Sequence, residues 1–189
     1  MKLRDSGMPE EEYWESLLDV PLILAALGID SRTNDVAELG CGYGTFSIPI
    51  AKAIRGTLYT FDIEQDMLAR TAERAELAGL TNVTCQHGDV MAQGFDVPRP
   101  VDAVLLFNIL HCEQPQQLLG HAIGALKPGG KVLVIHWRYD ERTPRGPSLE
   151  IRPKPETIVA WAEATGRLVA SGGVLDLPPW HFGLVFERP

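Results

Sequence analysis

The side chains best placed for chemistry in this chain are three acids and an amide, each just after a short apolar run: Glu38, Asp62, Asp89 and Asn108. Around the first of them the chain reads Val36-Ala37-Glu38-Leu39-Gly40-Cys41-Gly42-Tyr43-Gly44-Thr45-Phe46-Ser47-Ile48-Pro49-Ile50-Ala51. An apolar run is followed by three glycines at alternate positions and then by apolar residues at helical spacing, Phe46, Ile50 and Ile54. Glycine is needed where a backbone turns through positive φ or lets a ligand approach with no Cβ in the way. The stretch therefore reads as strand, tight turn and helix, with a pocket floor of backbone and helix N–H groups aimed at whatever lies above it. Asp62 lies 22 positions after Gly40, close to where a nucleotide-binding βαβ unit puts a carboxylate that accepts both ribose hydroxyls. Asp89, in Gly88-Asp89-Val90, is suited to accept from an amino group.

The spacing separates two kinds of nucleotide ligand. A dinucleotide fingerprint wants a third glycine where this chain has Thr45, and Glu38 is an awkward neighbour for a pyrophosphate. The acid suits a ligand that carries an ammonium and a sulfonium. Glu-x-Gly-x-Gly-x-Gly resembles motif I of the class I S-adenosylmethionine-dependent methyltransferases. That resemblance implies S-adenosylmethionine as cofactor and S-adenosylhomocysteine as product. It implies a cofactor site built from Glu38, Gly40, Cys41 and Gly42, from Asp62 on the ribose with Ile63 beside the adenine, from Gly88, Asp89 and Val90 at the adenine edge, and from Asn108 as a polar wall near the methionine part. The run Leu126-Lys127-Pro128-Gly129-Gly130-Lys131-Val132-Leu133-Val134 is a further likeness, structural in meaning. In the resembled family the segment before the first strand often lies across the cofactor site, which draws attention to Tyr13 and Trp14.

The elements that must hold these residues follow from periodicity and punctuation. Pro9 to Leu27 reads as helix, with Pro21 breaking it into two and Gly28 as a cap. Strands are expected over Thr57–Phe61, Asn82–His87, Val101–Phe107 and Lys131–Trp137, and helices over Gln65–Ala78, Pro115–Leu126 and Pro155–Thr165. Lys127 to Gly130 has the composition of a type II turn. Arg138 to Lys154 reads as a long loop, and Arg167–Leu177 and His181–Glu187 as two closing strands, the last antiparallel. Alternating strands and helices give an α/β fold, a doubly wound, mostly parallel sheet. With the resemblance it becomes a seven-stranded Rossmann-like sheet whose ligand site lies beyond the strands' carboxyl ends.

A length of 189 residues, 45% hydrophobic and 22% charged, fits one domain over 1–189, a helical cap over 1–30 and an α/β core over 31–189. Cys41, Cys85 and Cys112 are odd in number and lack C-x-x-C spacing, which argues against a disulfide framework or a structural metal, so no metal is expected. A net charge of -8 leaves no electrostatic footprint for nucleic acid or an anionic membrane. Met1 to Pro9 holds no long apolar run, and nothing later approaches the roughly 20 apolar residues of a membrane span. A cytoplasmic protein acting on a small molecule is the expectation, with a homodimer left open.

Methyl transfer from a sulfonium needs nucleophile, carbon and sulfur held in line. A base helps only where the acceptor carries a tightly held proton, and His111 and His136, at the ends of two strands, are the candidates, with His181 a lesser one. The loop after the fifth strand is net positive, so Arg138 and Arg145 are candidates for drawing an anionic acceptor, with Tyr13 and Trp14 as the opposite wall. The Asn/Asp-Pro-Pro-aromatic motif of DNA N-methylases is absent. An arsenite-methylating site would need several thiols, and only Cys112 is well placed. A cofactor-binding sensor or regulatory protein without transferase activity stays open beside the enzyme, since both would share Gly40 and Asp62. A nucleotide-dependent oxidoreductase is disfavoured by Thr45 and Glu38.

Overall fold

The computed structural model describes residues 8–189, so residues 1–7, most of the Met1–Pro9 stretch, lie outside the described residues. β1 (Val36–Leu39) is buried along its whole length because it lies between two neighbours, β2 (Leu58–Asp62) and β4 (Val101–Phe107), both parallel to it. β3 (Val83–His87) extends the sheet beyond β2, and β5 (Leu126–Trp137) lies beside β4. β8 (His181–Glu187) is antiparallel to β5. β6 (Val169–Ala170) and β7 (Leu175–Leu177) both pair antiparallel with β8, giving the order β3-β2-β1-β4-β5-β8-β6. Side chains alternate across β4: Val104 and Leu106 join one apolar core, Ala103 and Leu105 the other, as a strand covered by helices on both faces requires.

Three details differ from the sequence reading. The expected strand over Arg167–Leu177 is broken into β6 and β7, because Gly172-Gly173 interrupts it and Gly172 turns through a φ of 88°. Both pieces share one edge of β8, so eight strands fill the expected seven lanes. The turn at Lys127–Gly130 lies inside β5 as a bulge, where Val101 pairs with Leu126 but Ala103 pairs with Lys131. Pro21 does not break a helix. α1 (Glu11–Ser16) ends before it, Asp19 caps α2 (Val20–Leu27) by accepting from the Leu22 N–H at 3.1 Å, and Pro21 sits in the first turn, where a missing N–H costs nothing.

The remaining helices are α3 (Ser47–Ala53), α4 (Gln65–Leu77), α5 (Val90–Gln93), α6 (Pro115–Ala125) and α7 (Pro155–Glu163). α5 is a single turn, too short for periodicity to reveal. Asp89 caps it by accepting from the Met91 N–H at 2.9 Å. α1 buries no residue, so charge and hydrogen bonding hold it instead. Arg70 pairs with Glu11 at 2.9 Å and Arg74 with Glu15 at 2.7 Å, while the Tyr43 hydroxyl donates to the Pro9 carbonyl at 2.7 Å. The network fixes α1 across the glycine turn and onto α4. Among the described residues no helix is long and apolar enough to cross a membrane.

Candidate active site

Beyond the carboxyl ends of β1, β2, β4 and β5 lies a cavity of about 440 Å³. Its floor is the glycine turn, in which Gly40, Gly42 and Gly44 all turn through positive φ, 80°, 51° and 77°. A Cβ at Gly42 would come within 3.1 Å of the Met8 Cε, so glycine serves both backbone conformation and close packing there. Asp62 ties β2 to that turn. Its Oδ2 accepts from the Gly42 N–H at 3.3 Å and from the Cys41 thiol at 3.6 Å, and its Oδ1 accepts from the Glu64 N–H at 2.9 Å. The N-cap of α4 is Glu64, so Asp62 is not the cap of that helix. Its carboxylate stays at the cavity wall with Ile63, Asp89 and Val90.

Glu38 is 2% exposed, yet lines the cavity. Ser47, in the first turn of α3, donates its hydroxyl to Glu38 Oε2 at 2.5 Å. Burial outweighs that bond and raises the carboxyl to about 7, because a charge in a dry site is disfavoured unless a cation arrives. A ligand ammonium is such a cation. Burial likewise pushes up the thiols of Cys41 and Cys112, both cavity-lining. They are small buried groups, not nucleophiles.

The opposite half of the cavity is formed by Trp14, Phe107, Asn108, His111, Trp137 and the segment Arg145–Pro147. Trp14 and Trp137 meet edge to face with centroids 6.2 Å apart. Gly146 allows the loop to close on Trp137, since a Cβ there would lie 2.7 Å from the indole Cγ.

Four expected site residues lie elsewhere. Tyr13 points to solvent at 44% exposure and does not line the cavity, because α1 turns its neighbour Trp14 inward instead. Gly88 is off the wall, its N–H donating to the Asp62 carbonyl at 3.1 Å. Arg138 is turned toward the outer strands, where it pairs with Asp176 and its Nε donates to the His181 carbonyl at 3.1 Å. His136 is fully buried behind the cavity, edge to face with His111 at 5.5 Å. Of the candidate bases His111, His136 and His181, only His111 lines the cavity.

Two contributors escaped the sequence reading. Ser47 looked like an ordinary helix-start residue, and Arg152 was one of five cations in a polar loop. His181, the lesser candidate base, is buried against Trp137 and does not line the cavity.

Neither ring nitrogen of His136 has a well-formed hydrogen-bond partner among the described residues, and burial, with His111 next to it, lowers its pKa to about 3. An unfolded histidine titrates near 6.5, so between about pH 6.5 and 3 the unfolded chain binds a proton that the fold does not, and stability rises with pH across that window. His181 acts in the same direction and Glu38, with its raised carboxyl, in the opposite one. A comparison of variants isolates His136. His136→Phe is expected to gain on the parent by up to about 1.4 kcal/mol for each unit that the pH falls below 6.5. Urea titrations at pH 7, 6 and 5 measure it, and a constant difference across the series would show that His136 takes up its proton in the fold as readily as in the unfolded chain.

The chain is similar to a demethylmenaquinone methyltransferase of Shouchella clausii, at 29% identity over 101 residues, 52% of this chain and 43% of that protein. It is also similar to a tRNA (adenine(58)-N(1))-methyltransferase catalytic subunit of Cryptococcus neoformans, at 26% identity over 123 residues, 64% of this chain and 27% of that one. The chain thus spans less than half the length of these curated relatives. In fold it is similar across nearly all of its length to a SAM dependent methyltransferase from Aquifex aeolicus, with a TM-score of 0.80 at 22% identity, covering 95% of this chain and 94% of that one. Residues 36–130, half of the chain, match the family model of the methyltransferase domain, and the protein belongs to that family, the class I S-adenosylmethionine-dependent methyltransferases.

Proposed function

We propose that the protein transfers a methyl group from S-adenosylmethionine to a small-molecule acceptor that enters the cavity on the side of β4 and β5. The observation that carries this reading is the division of one cavity of about 440 Å³ into a polar half and an aromatic half. The polar half suits the cofactor. Asp62 and Asp89 offer carboxylates for ribose hydroxyls and an amino group, Ile63 and Val90 offer apolar contact for a flat base, and Glu38 faces the place where an ammonium would sit. The bound cofactor supplies an electrophilic methyl carbon and a neutral leaving sulfur, so no covalent nucleophile is asked of the protein.

What the chain does is hold the reactants in line and exclude water. Trp14, Phe107 and Trp137 give the acceptor a dry, flat-walled space, and Arg145 brings a cation to its rim. His111 faces the same space and can take a proton from an acceptor that must lose one. A cavity of this size, in a chain of net charge -8, favours a small acceptor over nucleic acid.

The test is methyl transfer from labelled S-adenosylmethionine to matched anionic and neutral small aromatic compounds, with total RNA as a further substrate. An anionic member should be methylated, and Arg145→Ala should raise its KM several-fold while S-adenosylhomocysteine affinity stays unchanged. Added salt should mimic the substitution. Labelling of RNA alone would overturn the small-molecule reading. Cofactor binding with no turnover on any substrate would favour a sensor.

A further inference from the structure

Asn108 ends β4 with a φ of 55°, the one non-glycine residue with positive φ among the described residues. Asparagine enters that region more readily than other side chains, and its presence there at a cavity wall invites a functional explanation. Its N–H continues the sheet by donating to the Ile135 carbonyl at 2.9 Å. Its side chain reaches over the end of β5, so that Nδ2 lies 3.4 Å from Nε2 of His181, the first residue of β8. Oδ1 is left buried without a partner among the described residues. A buried carbonyl oxygen in that state is costly until a donor reaches it.

His181 is 1% exposed and lies against the Trp137 ring at 4.2 Å. Burial and the nearby cations of Arg138 and Arg152 hold it neutral. A neutral imidazole accepts at one nitrogen and donates at the other. If Nε2 accepts, the Asn108 amide must offer N–H to it and face its oxygen the other way. If Nε2 carried the proton, the amide would be reversed and would present N–H groups to the ligand.

We propose that His181 is a positioning residue whose Nε2 accepts from the Asn108 side-chain N–H and so presents Asn108 Oδ1 to the ammonium of the bound cofactor. The inference rests on the cofactor reading of the cavity. The register supports it: Leu106 pairs with Leu39, so Asn108 lies beside the glycine turn in the lane next to Glu38. An ammonium has three hydrogens to give, and a carboxylate and an amide oxygen on adjacent lanes can each take one. The amide oxygen, which only accepts, has nothing to offer the cofactor carboxylate.

Two measurements test it. In protein with ¹⁵N-labelled histidine, His181 should show an unprotonated, pyridine-type Nε2 and a protonated Nδ1, before and after ligand is added. Calorimetry then compares S-adenosylhomocysteine with 5′-methylthioadenosine, which lacks the amino-acid part. His181→Leu should weaken S-adenosylhomocysteine about tenfold and leave methylthioadenosine unchanged, and His181→Gln, which returns an acceptor oxygen, should recover most of the loss. A protonated Nε2 in the parent protein overturns the proposal without any variant, whatever the folding of His181→Leu. So does an equal loss for both ligands, which marks a merely structural role, or no loss for either. If the parent binds neither ligand, the cofactor reading falls and the ammonium contact with it, while the nitrogen signals still decide whether His181 orients Asn108.

Discussion

Asp62→Ala is expected to weaken binding of S-adenosylhomocysteine by roughly 10- to 100-fold, about 1.5 to 3 kcal/mol, through loss of charge-assisted acceptors for a pair of ribose hydroxyls. Asp62 also accepts from the backbone of Gly42 and Glu64, so it shapes the turn as well as the ligand contact. Asp62→Asn keeps the shape and one acceptor oxygen but removes the charge and turns its NH2 toward one of the two backbone N–H donors. It should bind at an intermediate level, with a melting temperature lowered less than in Asp62→Ala. Asp89→Ala should cost less, because one amino contact is lost. Isothermal calorimetry on the three variants decides the order. Unaltered binding by Asp62→Ala in a folded protein would move the ribose contact to Glu64, the neighbouring cavity acid.

The largest loss of stability is expected at Arg152. Its buried guanidinium donates from Nη1 to the carbonyl of Arg138 at 2.9 Å, of Asp140 at 3.3 Å and to the Thr143 hydroxyl at 2.5 Å. From Nη2 it donates to the carbonyls of Arg145 at 3.3 Å and Pro147 at 2.6 Å, and from Nε to Pro147 again at 3.0 Å. One side chain thus gathers the loop whose residues Arg145–Pro147 wall the cavity. Arg152→Met strands several carbonyls at once and should cost on the order of 3 kcal/mol, with faster amide exchange over residues 138–147. Arg152→Lys should recover little, since three donors on a flexible stem do not reproduce a planar fork. Urea unfolding and hydrogen exchange measure both variants. A loss below about 0.5 kcal/mol with unchanged exchange would show that the loop is held by other means.

The contrast between Arg152 and Arg138 shows where the sequence stops being readable. Both are cations of one polar loop, and composition ranks them equally. Only the fold turns Arg138 outward to Asp176 and buries Arg152 under the carbonyls around it. The glycine turn and Asp62 were legible because their spacing is local: strand, turn and helix fix 22 residues relative to one another. The acidic and amide residues ending β1, β2 and β4 were legible for the same reason, since an apolar run followed by a polar residue marks a strand's end. His181 meets Asn108 across 73 residues, a contact no periodicity encodes. His136, on a strand end like the others, reads as a candidate base, but one face of a central strand is core. The sheet's last lane was misread for a simpler reason: Gly172-Gly173 in the sequence signals a break, and the apolar residues on either side masked it.

Calorimetry of the purified protein with S-adenosylmethionine, S-adenosylhomocysteine and NAD tests most directly the assignment of the cavity as a sulfonium-cofactor site. Binding of the first two at micromolar levels, abolished or weakened by Asp62→Ala, with no heat from NAD, is the predicted result. Tight NAD binding with no response to S-adenosylmethionine or S-adenosylhomocysteine would contradict it.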